Sequence, residues 1–186
     1  RMMRRAIVLA VIPLAVGQAL AQAFPDVPSE HVAAQAVGEM RREGILRGYP
    51  DGLFRGDQGL TSDEAVAIAA RLNACILSRY IMVTGQSVDE FMARYWDDEV
   101  RPKGLNISRD HWAALEWNYM TWITPPGEDI LGSWPRPLPS RYEAAQAAYS
   151  VLLRARETAE RELVAEYQRS MYDKLDENDT LPLDHV

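Results

Sequence analysis

Residues 24–72 carry the pattern that decides the fold of this chain, and they read FPDVPSEHVAAQAVGEMRREGILRGYPDGLFRGDQGLTSDEAVAIAARL. Apolar residues recur at helical spacing from Val32 to Met40, which predicts a first helix with Ser29 as its N-cap. Gly44 is predicted to end this helix, because glycine adopts the left-handed conformation of a C-terminal cap without a side-chain clash.

A turn and a second helix follow in the same stretch. The turn is predicted at residues 48–52, where Pro50 fixes φ and Gly52 supplies a positive φ. Thr61 and Glu64 have the spacing of a capping box, which opens a second helix over residues 63–83. Residues 24–84 are therefore predicted to form one helix–loop–helix module.

The order of these features resembles the S-layer homology (SLH) domain family. That family opens with Phe-x-Asp-Val, ends its first helix with Gly-Ile, and carries Gly-Tyr-Pro-Asp-Gly-x-Phe in its loop. A hydrophobic-Thr-Arg-x-Glu-Ala string then opens its second helix. The matching residues in this chain are Phe24 to Val27, Gly44 and Ile45, Gly48 to Gly52 with Phe54, and Leu60 to Ala65.

The resemblance also implies a ligand site for anionic cell-wall polysaccharide. The residues it implies here are Asp26, Tyr49, Asp51, Thr61 and Glu64. The family's usual tryptophan in the first helix is Val32 in this chain, and the arginine after its threonine is Ser62. We therefore expect weak polysaccharide binding, and a module that has exchanged sugar binding for protein docking.

The N-terminus resembles a secretory signal. Residues 1–5 contain three arginines, residues 6–20 are almost wholly apolar, and Ala21-Gln22-Ala23 forms a small-x-small string. The apolar segment is near the lower limit of about 17 residues for a membrane span. Residues 1–23 are thus either a cleaved signal peptide or an uncleaved signal-anchor helix, and the rest is expected outside the cytoplasm because the positive end stays inside.

Residues 85–139 are predicted to be an aromatic-rich helical region followed by a proline-rich loop. A capping box of Ser87 and Glu90 opens a helix over residues 88–99, and Ser108 opens another over residues 109–122. The tryptophans of this region fill a core, line a partner surface or form a belt at the membrane interface. A faint repeat is visible in three helix openings, at Leu60-Thr61-Ser62, Ile107-Ser108-Arg109 and Pro139-Ser140-Arg141.

A long helix is predicted over residues 140–177, with Ser140 and Glu143 as its capping box and residues 178–186 as an extended tail. At about 1.5 Å per residue this helix would be too long to be covered by the rest of the chain. We expect its apolar stripe to dock on another polypeptide; the alternative is that the helix folds back over the aromatic helices of its own chain. The residues predicted to dock are Tyr149, Leu152, Leu163, Tyr167, Met171 and Leu175, together with Trp134.

Composition excludes several functions. The chain has 186 residues and a net charge of −7, and an acidic body argues against nucleic acid as a partner. Its three histidines lack metal-ligand spacing, and no phosphate loop or nucleophile elbow is present. We predict no enzymatic activity, no metal site and no cofactor.

These patterns favour a mainly α, non-catalytic accessory subunit on the extracytoplasmic side of the bacterial inner membrane. In this interpretation the N-terminal helix anchors the chain, which packs on the other protein subunits of a membrane complex, and a respiratory or photosynthetic assembly would suit it. The alternative is a secreted SLH-type protein that binds cell-wall polysaccharide and tethers the cell envelope.

Overall fold

The computed structural model describes residues 23–96, 107–125, 128–132 and 134–178, with only the backbone over residues 170–178. The predicted mainly α fold is confirmed: across these ranges the regular elements are helices, and a single isolated antiparallel bridge joins Gly59 to Ser140. The elements are α1 (Ala34–Arg42), α2 (Ser62–Ile76) continuing into a π-helical turn (Leu77–Ile81), α3 (Val88–Ala93), α4 (Ala114–Ile123) and α5 (Arg141–Asn178).

The N-terminal signal or anchor falls outside the described residues, except for Ala23, and so does the predicted tail from residue 179 onward. Among the helices that the structure does describe, none combines the length and the apolar character that a membrane crossing requires. The predicted signal-anchor helix therefore finds no support in the described part of the chain.

Capping boxes set the starts of three helices, as the sequence predicts. The Thr61 hydroxyl accepts the Glu64 N–H while the Glu64 carboxylate accepts the Thr61 N–H, and Ser87 with Glu90 repeats the arrangement at α3. Ser140 and Glu143 exchange the same two bonds, at 3.2 and 2.8 Å. Each box satisfies two backbone donors that the first helical turn would leave unpaired.

The predicted caps at Ser29 and Ser108 are wrong, because α1 and α4 begin later, at Ala34 and Ala114. A histidine in the turn before α1 instead pairs one of the backbone donors there, since Nδ1 of His31 accepts the N–H of Ala33 at 3.1 Å. Two further boundaries differ. Helix α3 ends at Ala93 rather than residue 99, and α2 gives way to the π-helical turn.

The most extensive helix pairings join helices that are not neighbours in the sequence. Helix α1 packs on α5, and α4 packs on α2. One core therefore extends from Phe24 through Phe54 and Tyr119 to Leu152, all at most 3% exposed, and it does not stop at residue 84. The module and the predicted extension share this core.

Helix α5 changes character along its length. One face of its first three turns is buried as far as Leu152, whereas Leu163 and Tyr167 are 68% and 67% exposed. Within the described part of the helix, the last side-chain hydrogen bonds to the body come from Arg156, which donates to the buried carboxylate of Glu43 at 2.6 Å and to the Tyr80 hydroxyl at 2.7 Å. Arg79 also pairs with Glu43. Beyond this cluster the helix extends away from the core.

Candidate ligand-binding groove

Two segments of the chain enter the core in the same way. His31-Val32-Ala33-Ala34 precedes α1, and His111-Trp112-Ala113-Ala114 precedes α4. In both, the histidine Nδ1 accepts the N–H of the first alanine, and that alanine is completely buried. Both histidine N–H groups also close a turn on the carbonyl three residues back. The segment before α4 is thus a structural repeat of the segment before α1.

The starts of α2 and α5 are equivalent as well. Thr61 and Ser140 carry the same capping box. Ser140 also pairs with Gly59, two residues before Thr61, in the isolated antiparallel bridge. This corrects the predicted repeat: Pro139-Ser140-Arg141 does correspond to Leu60-Thr61-Ser62, but Ile107-Ser108-Arg109 corresponds to the turn before α1. By this equivalence Arg141 occupies the position of Ser62, and Tyr142 that of Asp63.

A groove with a cavity volume of about 710 Å³ lies where the first repeat meets the second. The loop before Asp51 forms one wall, and the first two turns of α2 form the other. The lining residues are Ile45, Leu46, Arg47, Gly48, Tyr49, Pro50, Gln58, Thr61, Asp63, Glu64, Ala67, Ile68, Arg71, Trp112 and Arg141. Trp112 and Arg141 come from the second repeat.

The tryptophan and the arginine that the first repeat lacks at Val32 and Ser62 are therefore present at the equivalent positions of the second repeat. Trp112 is the second repeat's equivalent of Val32, and Arg141 is its equivalent of Ser62. Both line the groove built on Tyr49 and Thr61. Trp112 is 55% exposed, so one face of its indole is available for stacking.

Arg141 holds the two repeats together beneath the groove. Its side chain is 5% exposed and its guanidinium donates to the carbonyls of Phe54 and Arg47, at 2.6 and 3.0 Å. It also donates to Glu64 at 2.5 Å. The guanidinium lies 4.7 Å from the centre of the Tyr49 ring, within cation–π range. The planar, multidentate head of arginine is suited to these simultaneous contacts.

Glu64 is the centre of the polar network in the groove. Burial alone would raise its pKa, but the Thr61 N–H, the Tyr49 hydroxyl and Arg141 together hold the pKa of Glu64 below its ordinary value. Burial and the hydrogen bond to Glu64, at 2.7 Å, raise the pKa of Tyr49. At neutral pH the groove therefore presents a charged carboxylate and a neutral phenol, each fixed in position.

Asp63 ties the second repeat to the start of α2. It accepts the indole N–H of Trp117 at 2.8 Å and lies 3.5 Å from Nε2 of His111. These contacts fix the turn that carries Trp112.

The other predicted ligand residues have local structural roles. Asp26 accepts the N–H groups of Phe54 and Arg55 with its two oxygens, at 2.8 and 2.7 Å, and closes the loop onto the start of the module. Asp51 accepts the N–H of Leu53 at 3.0 Å, as the turn prediction requires. Neither carboxylate lines the groove, whereas Tyr49, Thr61 and Glu64 do.

The residues predicted to dock on a partner divide into two groups. Leu152 is buried in the chain's own core, and Tyr149 and Trp134 pack against that core. Leu163 and Tyr167 are exposed on the distal part of α5. The side chains of Met171 and Leu175 lie outside the described residues.

Sequence reasoning missed Trp112, Arg141 and Arg71 as groove residues. The signal for the first was the match between His111-Trp112-Ala113-Ala114 and His31-Val32-Ala33-Ala34. The signal for the second was the match between Ser140-Arg141 and Thr61-Ser62. No comparable local signal marked Arg71. In the ranges that the structure describes, no group of three or more histidine, cysteine or carboxylate side chains could hold a metal ion.

Comparison with known proteins agrees with the geometry of the first repeat. The family described as S-layer homology domain matches residues 23–66. Outer membrane protein alpha of Thermotoga maritima is 37% identical over 78 residues, which make up 38% of this chain and 20% of that protein.

Two further relatives are both described as outer membrane protein SlpA. The protein of Deinococcus radiodurans is 50% identical over 50 residues, 27% of this chain and 4% of that protein. The protein of Thermus thermophilus is 46% identical over 59 residues, 32% of this chain and 6% of that protein. The similarity thus covers a fifth or less of each relative's length. No solved structure matches this chain. Residues 23–66 of this chain are an S-layer homology domain.

Proposed function

We propose that this chain belongs to the bacterial cell envelope and binds cell-wall polysaccharide in the groove between its two repeats. The alternative raised by the sequence thus replaces the membrane-complex subunit as the leading interpretation. Its relatives are outer membrane proteins, which fits an envelope location. The role is structural tethering, with no catalytic step.

The observation that carries the proposal is the half-exposed indole of Trp112 beside a fixed polar network. Sugars bind through stacking of their apolar ring face on an aromatic side chain and through hydrogen bonds to their hydroxyls. Trp112 offers the first contact, and Tyr49 and Gln58 offer the second within the same groove. A cavity of about 710 Å³ has the size of a ligand-binding cleft, which is large enough to hold part of a polymer chain.

Co-sedimentation with purified bacterial wall sacculi at physiological salt tests the proposal. The full chain is expected to pellet saturably with sacculi, and Trp112→Ala is expected to weaken this binding about tenfold or more, because a buried aromatic contact contributes on the order of 1.5–3 kcal/mol. Trp122→Ala is the matched control, since Trp122 is 46% exposed on α4 but does not line the groove. Equal binding by the two variants, or no pelleting of the unmodified chain, would reject the proposal.

A second role is favoured by the exposed part of α5. We propose that Leu163, Val164 and Tyr167, each more than half exposed, contact another polypeptide of the envelope. Truncation after Arg156 keeps the contacts of that residue to Glu43 and Tyr80. The truncated chain is expected to keep its melting temperature and its sacculus binding, but to lose association with other proteins in cross-linked envelope preparations. A large drop in melting temperature would show that this part of the helix stabilises the chain's own fold.

A further inference from the structure

Arg71 lies on the floor of the groove and is held there by a buried partner. Its side chain is 6% exposed, and both Nε and Nη2 donate to the same oxygen of Glu116, at 2.8 Å for Nε. Glu116 is 2% exposed and comes from α4, so the pair also joins the two repeats. The guanidinium is thereby fixed in orientation before any ligand arrives.

One donor nitrogen of Arg71 is not used by the protein. Within the described part of the chain, Nη1 has no hydrogen-bond partner, whereas Nε and Nη2 are both bound to Glu116. Nη1 is also not sealed from solvent, because the one sealed side-chain polar atom without a partner among the described residues is Oε2 of Glu116. The remaining bonding capacity of the pair that solvent can reach therefore lies on the side of Arg71, which is a lining residue of the groove.

The surroundings of this nitrogen favour an anion. Three arginines and two carboxylates line the groove, so its lining carries a net charge of +1 in a chain whose net charge is −7. Each nitrogen of the Arg141 guanidinium already donates to Phe54, Glu64 or Arg47, and Arg47 is a half-exposed side chain that pairs with Asp89. Among the described residues, Arg71 is thus the buried lining arginine with a donor that the protein does not use. Charge-assisted hydrogen bonds from arginine to carboxylate or phosphate are about twice as strong as neutral ones.

Stability alone does not account for the pair. Removing two charges from water is expensive, and apolar residues of similar volume often give a fold that is equally stable. A buried arginine in the lining of a cleft, with one donor that the protein does not use, is the arrangement that a specificity contact requires.

We infer that Arg71 binds an anionic group of the wall polymer, a carboxylate or a phosphate, through Nη1, and that Glu116 is the residue that positions it. This inference rests on the proposed function. It assigns charge recognition to Arg71, which lies outside the loop and capping motifs. The position after Thr61, where the family usually has an arginine, is Ser62 in this chain. The polymer that fits is acidic, with its charged substituent reaching the floor while a sugar ring stacks on Trp112.

The test compares three preparations of sacculi with the unmodified chain. Carbodiimide amidation neutralises carboxylates, cold hydrofluoric acid removes phosphodiester-linked groups, and untreated sacculi serve as the reference. The unmodified chain is expected to bind one of the two treated preparations about ten- to hundredfold more weakly, the range of a charge-assisted hydrogen bond. The treatment that weakens binding identifies the anion as carboxylate or phosphate.

Variants then locate this preference at Arg71. The double variant Arg71→Met with Glu116→Met removes the pair without leaving a lone buried charge, and Arg71→Gln with Glu116→Gln is a second neutral pair of different chemistry. Both are expected to bind untreated sacculi as weakly as the unmodified chain binds the treated ones, with no further loss on treatment. The matched control, Arg42→Gln with Glu39→Gln, removes an ion pair on α1 outside the groove and should keep the full preference.

The outcomes are distinct for the two proposals. If the unmodified chain binds all three preparations equally, or a folded double variant keeps the preference, the role of Arg71 is rejected while wall binding stands. If the unmodified chain fails to pellet with untreated sacculi, the proposed function fails and this inference fails with it.

Discussion

The α5 junction, which is formed by His31, Gly56 and Tyr142, is the place in the fold that is equivalent to the groove. The groove is open, whereas the α5 junction is filled by side chains. At the groove, the third residue of the capping motif is Asp63, a short carboxylate 3.5 Å from His111. At the α5 junction the same position is Tyr142, whose ring stacks on His31 with 3.9 Å between centroids. A small residue thus leaves a cleft open, and a large one fills it.

The residues that surround these two positions differ in the same direction. Trp112 projects beside the open groove, whereas its counterpart at the α5 junction is Val32, which is 80% exposed and offers no stacking surface. Tyr142 is 8% exposed and also contacts Phe54, with 5.6 Å between ring centres. One repeat interface is thus an open groove, and the other is part of the core.

The largest expected effect comes from Arg141→Ala, because Arg141 joins the repeats beneath the groove. The substitution would leave two carbonyls and the partly buried Glu64 without their donor. Breaking a buried pair on one side costs about 3–5 kcal/mol. Urea denaturation should show a loss of this size in the free energy of unfolding. Arg42→Ala, at an exposed pair on α1, is the control and should cost far less; comparable losses would contradict the role of Arg141.

Gly56→Ala should cost less and act at the α5 junction alone. A Cβ on Gly56 would overlap the Tyr142 ring, and overpacking of this kind costs about 1–3 kcal/mol. Gly38→Ala is the matched control, since no atom lies within 4 Å of a Cβ at that helical position, and it should be neutral or stabilising. Sacculus binding by the folded Gly56→Ala protein should be unchanged. A weaker binding constant would mean that the two interfaces are coupled.

Acid should destabilise the chain through two carboxylates. The pKa of Glu64 and that of Asp26 lie below their ordinary values of 4.5 and 3.8 in the folded state. For Asp26, burial opposes this shift and the Phe54 and Arg55 N–H groups produce it. The stabilisation is therefore fully present above the ordinary values and is lost as pH falls through the lowered ones. Thermal melts from pH 7 to pH 2.5 should fall below about pH 4.5. Glu64→Gln and Asp26→Asn should each flatten that fall; unchanged profiles would contradict the assignment.

The smallest expected effect is that of Val32→Trp. It places at the α5 junction the aromatic residue that Trp112 provides at the groove, on a surface position where it should fold normally. Because Tyr142 and His31 fill the adjacent space, no second cleft opens, and the number of ligands bound per chain should stay the same. A doubled stoichiometry in calorimetry with solubilised wall polymer would show that the open and closed states differ only by the aromatic residue.

Local features of this fold could be predicted from the sequence, and the features that depend on distant contacts could not. The capping boxes at Thr61, Ser87 and Ser140 involve residues three apart, so spacing alone predicts them. The groove depends on Trp112 and Arg141, which lie 80 and 79 positions after the residues they replace. Trp112 and Arg141 reach the groove because α4 packs on α2 and α5 packs on α1.

The failed caps at Ser29 and Ser108 have a similar cause. A serine before an apolar helical pattern favours an N-cap. In both segments, however, the histidine N–H bonds to the carbonyl three residues back and the histidine Nδ1 accepts the N–H two residues on, so a turn forms there and the helix begins later. Two such turns in one chain are themselves the marker of the repeat.

The most direct test of the groove as the binding site observes the indole N–H resonances of the five tryptophans in a ¹H–¹⁵N correlation spectrum while solubilised wall polymer is added. Each resonance is assigned by single substitution. The Trp112 signal is expected to shift or broaden saturably, and the Trp122 signal, from the same helical region but outside the groove, is expected to stay in place. A Trp112 signal that is unmoved at saturating polymer, or a shift confined to Trp122, would contradict the claim that the groove between the repeats is the binding site.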